Sequence, residues 1–125
     1  MKPTILQVVL SLEYVGEKMV SALAHSVSDE FNVMFCCLDS LGLLGEELRK
    51  EGFSVTVLDR KPGFDGSLTR KIARLAKEKN IDIIHAHHYS SFFYSALAKI
   101  LYSKPRLIFT EHGRPLPDIG DYKRK

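Results

Sequence analysis

Cysteine is nearly missing from this chain of 125 residues, which holds two, Cys36 and Cys37, side by side. Neighbours on a strand point to opposite faces, so the pair does not read as a disulfide. No CxxC spacing exists for zinc, and buried free thiols in a reducing compartment are expected. Long hydrophobic runs are missing as well. The longest candidate, Ile5–Leu12, is broken by Gln7 and Ser11, falls far short of a membrane span and lacks a small-residue cleavage site. A cytoplasmic location is therefore the expectation. Charge of one sign is also scarce: a formal net charge of +3 permits an anionic partner without demanding one, and no nucleic-acid partner is expected. Glycine-rich phosphate loops are absent. The stretch Ser11-Leu-Glu-Tyr-Val-Gly16 has one glycine where the dinucleotide fingerprint needs three, and Gly63–Lys71 lacks a Walker ending.

What is present is alternation. Short apolar strands are expected at Ile5–Leu10, Phe31–Leu38, Phe53–Leu58, Ile81–Ala86 and Arg106–Thr110. Between them, helical spacing marks Glu17–Ser28, Leu43–Glu51 ending at Gly52, Ser67–Lys79 with a cap at Asp65 or Ser67, and Ser91–Tyr102. Strands separated by helices imply a Rossmann-like, doubly wound parallel α/β sheet of about five strands in the order 3-2-1-4-5. The switch point then lies between the loop after the first strand and the loop after the fourth.

Two strands stay apolar to their last turn and then become polar: Ile81-Asp-Ile-Ile-His-Ala-His-His88 and Leu107-Ile-Phe-Thr-Glu-His-Gly-Arg114. Ligands bind at that carboxyl edge in open α/β sheets. His85 shares a face with Ile81 and Ile83 and is expected in the core. His87 and His112, at the strand ends, are expected to donate to a phosphate or sugar hydroxyl, or to act as a base near neutral pH. A metal site built on His85, His87, His88 and His112 is the weaker alternative, because Glu111 alternates away from His112 and supporting carboxylates are few. Asp39 stands where a ribose-binding acid would sit, yet without the glycines an Asp-Ser pair reads as a turn. Gly16 would allow close approach of an anion to the N–H groups of Glu17, Lys18 and Met19, although spacing alone favours a plain turn. A basic helix, Arg70, Lys71, Arg74, Lys77 and Lys79 with Arg60 and Lys61 before it, is either a solvated face or a contact for anionic lipid.

The whole chain resembles the N-terminal domain of glycosyltransferase family 4, the retaining nucleotide-sugar enzymes of the two-domain GT-B fold. The similar stretches are Leu6-Gln-Val-Val-Leu-Ser-Leu-Glu-Tyr-Val-Gly16, Cys37-Leu-Asp39 with Leu44-Gly-Glu-Glu-Leu48, Asp82-Ile-Ile-His-Ala-His87 with Phe92-Phe-Tyr94, and Phe109-Thr-Glu-His-Gly-Arg114. The resemblance implies transfer of a sugar from a nucleotide-sugar donor to a saccharide or lipid-linked acceptor. It implies no cofactor, the nucleotide sugar being a substrate. Gly16, with Glu17, matches the loop that approaches the donor diphosphate, but Val15 replaces the first glycine of the family's Gly-Gly pair and Lys18 an expected glutamate. His112 matches the cleft histidine near the transferred sugar, with catalytic importance, and His87, Tyr89 and Arg114 fall on the acceptor side.

Residues 1–114 are accordingly expected to form the acceptor-side domain, and 115–125 the start of a continuation or a disordered tail. The resemblance further implies a donor-binding second domain in cis or in trans, since the glutamate pair and basic residues that stabilise the leaving diphosphate are not in these 125 residues. Two rivals remain at this point: a non-catalytic binding domain that kept the fold, and the histidine metal hydrolase. A peripheral contact of the helix at 67–79 with the inner membrane surface accompanies the first reading.

Overall fold

The structure, a computed structural model, describes residues 2–12, 25 and 29–110. In chain order the elements are β1 (Thr4–Ser11), β2 (Asn32–Ser40), α1 (Gly42–Lys50), β3 (Ser54–Val57), α2 (Ser67–Glu78), β4 (Ile83–His87), α3 (His88–Leu101) and β5 (Arg106–Thr110). The strands form one parallel sheet in the order β3-β2-β1-β4-β5, the order expected from the sequence. Of the expected helix Glu17–Ser28, only His25 lies within the described residues.

β1 is central and therefore covered on both faces, which is why its middle reads as an unbroken apolar run apart from Gln7. Alternation divides the core in two. Leu6, Val8, Cys36, Leu38 and Ile84 pack against Leu68, Ile72, Ala73 and Ala76 of α2 and Tyr94 and Ala98 of α3. Val9, Val33, Phe35, Cys37 and Val55 form the opposite layer with Leu12 and Leu48 of α1. Cys36 and Cys37 thus lie on opposite faces as free thiols, both fully buried, and burial followed by the neighbouring Cys37 pushes the Cys36 thiol far above its ordinary range.

Two helices stop by the same device. At the end of α1, Gly52 takes φ +103°, its N–H donates to the Arg49 carbonyl (3.1 Å), and the Phe53 N–H reaches the Leu48 carbonyl (3.0 Å). At the end of α2, Asn80 takes φ +52°, its N–H donates to the Lys77 carbonyl (3.4 Å), and Ile81 N–H donates to the Ala76 carbonyl (2.9 Å). Both are Schellman closures, with glycine and asparagine in the left-handed position. α2 begins on Asp65, whose Oδ1 accepts from the Ser67 amide (3.1 Å) and hydroxyl (2.6 Å).

Candidate functional site

β1 and β4 are neighbours at the point where the strand order reverses, so a crevice is expected at their carboxyl ends. Register fixes which side chains share a face there. Gln7 pairs with His85, and His87 with Thr110, so Gln7, His85, His87 and Thr110 share one face of three adjacent strands. Their side chains form a polar row. His87 Nε2 donates to Gln7 Oε1 at 2.7 Å, and His85 Nε2 and Thr110 Oγ1 share a hydrogen bond of 2.8 Å. The two imidazole rings lie 4.1 Å apart, tilted by 40°.

Burial within this row differs from the sequence expectation. His87 is 1% exposed and Gln7 1%, whereas His85 is half-buried. Alternation assigned a face but not a depth. β1 lies directly beside β4 and its Gln7 meets the His87 ring, while His85 turns toward Thr110 on the edge strand β5. A buried polar side chain on a central strand needs a partner, and Gln7 and His87 supply one another.

The chain then turns abruptly. His88 follows His87 with φ +72°, and α3 starts at once, three residues before the expected Ser91. A non-glycine residue held there costs about 1–3 kcal/mol. No side chain caps this helix, and its first turn carries no acid. The turn lifts Tyr89 to the surface, 63% exposed, with its ring stacked 6.3 Å from Phe93. His87 and Tyr89 therefore sit together at the β4–α3 junction. Gly16, Glu17, His112 and Arg114, the other expected site residues, lie outside the described residues.

Asp39 lies within β2, not in the expected turn, and is paired with a cation. Arg60 donates to both oxygens of its carboxylate, Nε to Oδ1 at 2.8 Å and Nη2 to Oδ2 at 3.0 Å. Lys71 Nζ donates to the Leu58 carbonyl at 3.2 Å, so two of the basic residues around α2 serve the fold as well as the surface. Asp65 also accepts from the Lys61 amide (3.1 Å), while its own amide donates to the Tyr94 hydroxyl (3.0 Å). The Ser67 hydroxyl first, and then the Lys61 amide, hold its carboxyl below the ordinary carboxylate value.

Among the described residues no three His, Cys, Asp or Glu side chains are grouped to hold a metal ion. His85, His87 and His88 by themselves thus make no such site. Nor is any described helix long and apolar enough to cross a membrane. A shallow cavity of about 430 Å³ lies at the opposite, amino edge of the sheet, lined by Lys2, Pro3, Asp82, Ile83 and Arg106. There Asp82 ties β1 to β4, its Oδ2 accepting from the Thr4 amide at 2.8 Å.

Gln7 was legible in the sequence only as an interruption of an apolar run, and its partner 80 residues away was not. Compared with known families, the chain matches the model for Glycosyltransferase Family 4 over residues 16–125. No curated protein matches it.

Proposed function

The chain belongs to glycosyltransferase family 4, and from that membership we propose that it supplies the acceptor-side half of a cleft that moves a sugar from a nucleotide-sugar donor to a saccharide or lipid-linked acceptor. The observation that carries the reading is the family match over residues 16–125 on a parallel sheet of the order β3-β2-β1-β4-β5.

In this proposal Gly16 and the amide of Glu17 approach the donor diphosphate, where free backbone N–H groups favour an anion. His112 orients the transferred sugar. Tyr89 and Arg114 contact the acceptor, and His87 acts as a positioning residue. Its ring, held by Gln7, fixes the β4–α3 junction from which Tyr89 is presented. No cofactor enters, because the nucleotide sugar is itself a substrate. Departure of a nucleoside diphosphate requires its developing charge to be stabilised. A second, donor-binding domain in cis or in trans supplies that stabilisation.

One observation speaks for a second reading, a domain that keeps the fold and binds without transferring. His87 is fully buried and already bonded to Gln7, so it does not meet an acceptor directly. The two readings separate in an assay of nucleoside diphosphate release from a panel of nucleotide sugars, run with and without a donor-side domain. The transferase reading expects release only with that domain present. Robust turnover by this chain alone sinks the half-cleft proposal, and saccharide binding with no release in either arm favours the second reading.

A further inference from the structure

Two hydrogen bonds and one ring contact run across three strands, from Gln7 of β1 through His87 and His85 of β4 to Thr110 of β5. The last link is diagonal. In register Thr110 lies beside His87, and Ile108 beside His85. The His87 ring nevertheless turns to Gln7 on the β1 side, and Thr110 Oγ1 is bonded to His85 Nε2, two residues back along β4, at 2.8 Å. The row therefore ties the last residue of β5 to the centre of the sheet. An apolar pair would fill the same space. Hydrogen bonds add direction, and a satisfied polar network holds its members in one arrangement.

β5 needs such a tie at this end. Among the described residues it pairs with β4 alone, and strand ends bonded on one side open at low cost. Its amino end is held by the Arg106 amide, which donates to the Asp82 carbonyl at 2.9 Å. One face is anchored by Leu107 in the core and by Phe109 against Phe92 at 4.7 Å. On the other face Arg106 and Ile108 are exposed, and Thr110 is the residue that is bonded. Thr110 is also the last described residue before His112, two positions on. Two residues reach at most about 7 Å, so whatever fixes Thr110 keeps the His112 backbone within that distance of the carboxyl end of β5.

We propose that His85 and Thr110 are positioning residues for sugar transfer: their hydrogen bond sets the point at which the chain leaves β5, and so the place of the His112 imidazole in the cleft. The proposal rests on the sugar-transfer reading, in which His112 orients the transferred sugar. Neither residue is required to touch the substrate. Their effect falls on the chemical step, because a displacement of about 1 Å at a reacting group costs up to roughly a hundred-fold in rate. His85 thus serves a different end from His87, whose bond to Gln7 fixes the β4–α3 junction.

Thr110→Val removes the hydroxyl at nearly constant volume, and Thr110→Ser keeps it. His85→Phe keeps a ring without its nitrogens, and His85→Gln keeps a donor. With a donor-side domain supplied, Thr110→Val and His85→Phe should each lower kcat for nucleoside diphosphate release about ten-fold at an unchanged KM for the nucleotide sugar, with the fold intact by circular dichroism. Thr110→Ser and His85→Gln should recover most of that rate. In a His112→Ala background Thr110→Val should have no further effect, because the two act as one unit. An equal loss with and without His112, a loss confined to KM, or no loss in the Val and Phe variants overturns the proposal. Imidazole NMR of the 125-residue chain gives a second reading that needs no turnover. Thr110→Val, but not Thr110→Ser, should shift the His112 ring signals, which are assigned by their absence in His112→Ala. His112 signals indifferent to Thr110→Val also overturn it. A parent that releases no diphosphate with the donor-side domain defeats the sugar-transfer reading instead, while the ring signals still decide whether the tie places His112, so the two fail separately.

Discussion

Removing the acceptor from the buried Gln7–His87 pair is the most informative perturbation of the candidate site. Gln7→Leu keeps the bulk on β1 but leaves the His87 Nε2 donor, 1% exposed on a residue basis, without its 2.7 Å partner. A buried polar group so orphaned costs about 1–3 kcal/mol. The added apolar contact of leucine returns on the order of 1 kcal/mol, which leaves a net loss of up to roughly 2 kcal/mol. For a domain of this size that is a fall in Tm of up to roughly 10 °C. His87→Leu should cost a similar amount by orphaning the Gln7 carbonyl. The double variant should be less destabilised than the sum by about 1 kcal/mol or more, because each single change already breaks the pair. Urea unfolding followed by circular dichroism supplies the four free energies of the cycle. Additive effects would refute the claim that the two side chains satisfy one another in the core.

Other outcomes follow from single features. Asp65→Asn should lower Tm by a few degrees at neutral pH, since the carboxylate accepts from the Ser67 hydroxyl and from the Ser67 and Lys61 amides. The folded carboxyl titrates below its ordinary 3.8, so this stability is present above about pH 4 and is lost as pH falls through the lower folded value. A Tm difference that stays constant down to pH 2 would contradict it. Ser91 and Ser95 bury hydroxyls that have no hydrogen-bond partner among the described residues, so Ser91→Ala and Ser95→Ala should be neutral or stabilising by up to about 1 kcal/mol in the same urea assay. Cys36 and Cys37, both fully buried, should resist a thiol reagent in the native protein and react together once urea unfolds it. Fast labelling of the native protein would show that the layers on either side of β2 open readily.

The strand order was legible because parallel strands buried on both faces leave long apolar runs, and the crossover rules then allow few arrangements. The stop at Gly52 was legible for its glycine; the expected helix Ser67–Lys79 also ended in the right place, but the left-handed asparagine that closes it carried no recognised signal. The early start of α3 depends on a histidine in positive φ, which no local signal announces. The relative depths of His85 and His87 depend on which strand lies alongside, a long-range property that periodicity along one strand does not carry. Asp39 was expected in a turn and instead lies within β2, and its bidentate partner Arg60, 21 residues on, became visible only through the fold. Of the expected site residues, His87 and Tyr89 are placed together, and Gly16, Glu17, His112 and Arg114 lie outside the described residues.

The account rests on the claim that this family 4 domain forms the acceptor side of a sugar-transfer cleft. Release of nucleoside diphosphate from nucleotide sugars tests it most directly, read with a donor-side domain supplied and again for His112→Ala. The account predicts release that needs both domains and falls at least a hundred-fold, on the order of a lost transition-state contact, with the variant's fold unchanged. Release by this chain alone, or release indifferent to His112, would contradict it.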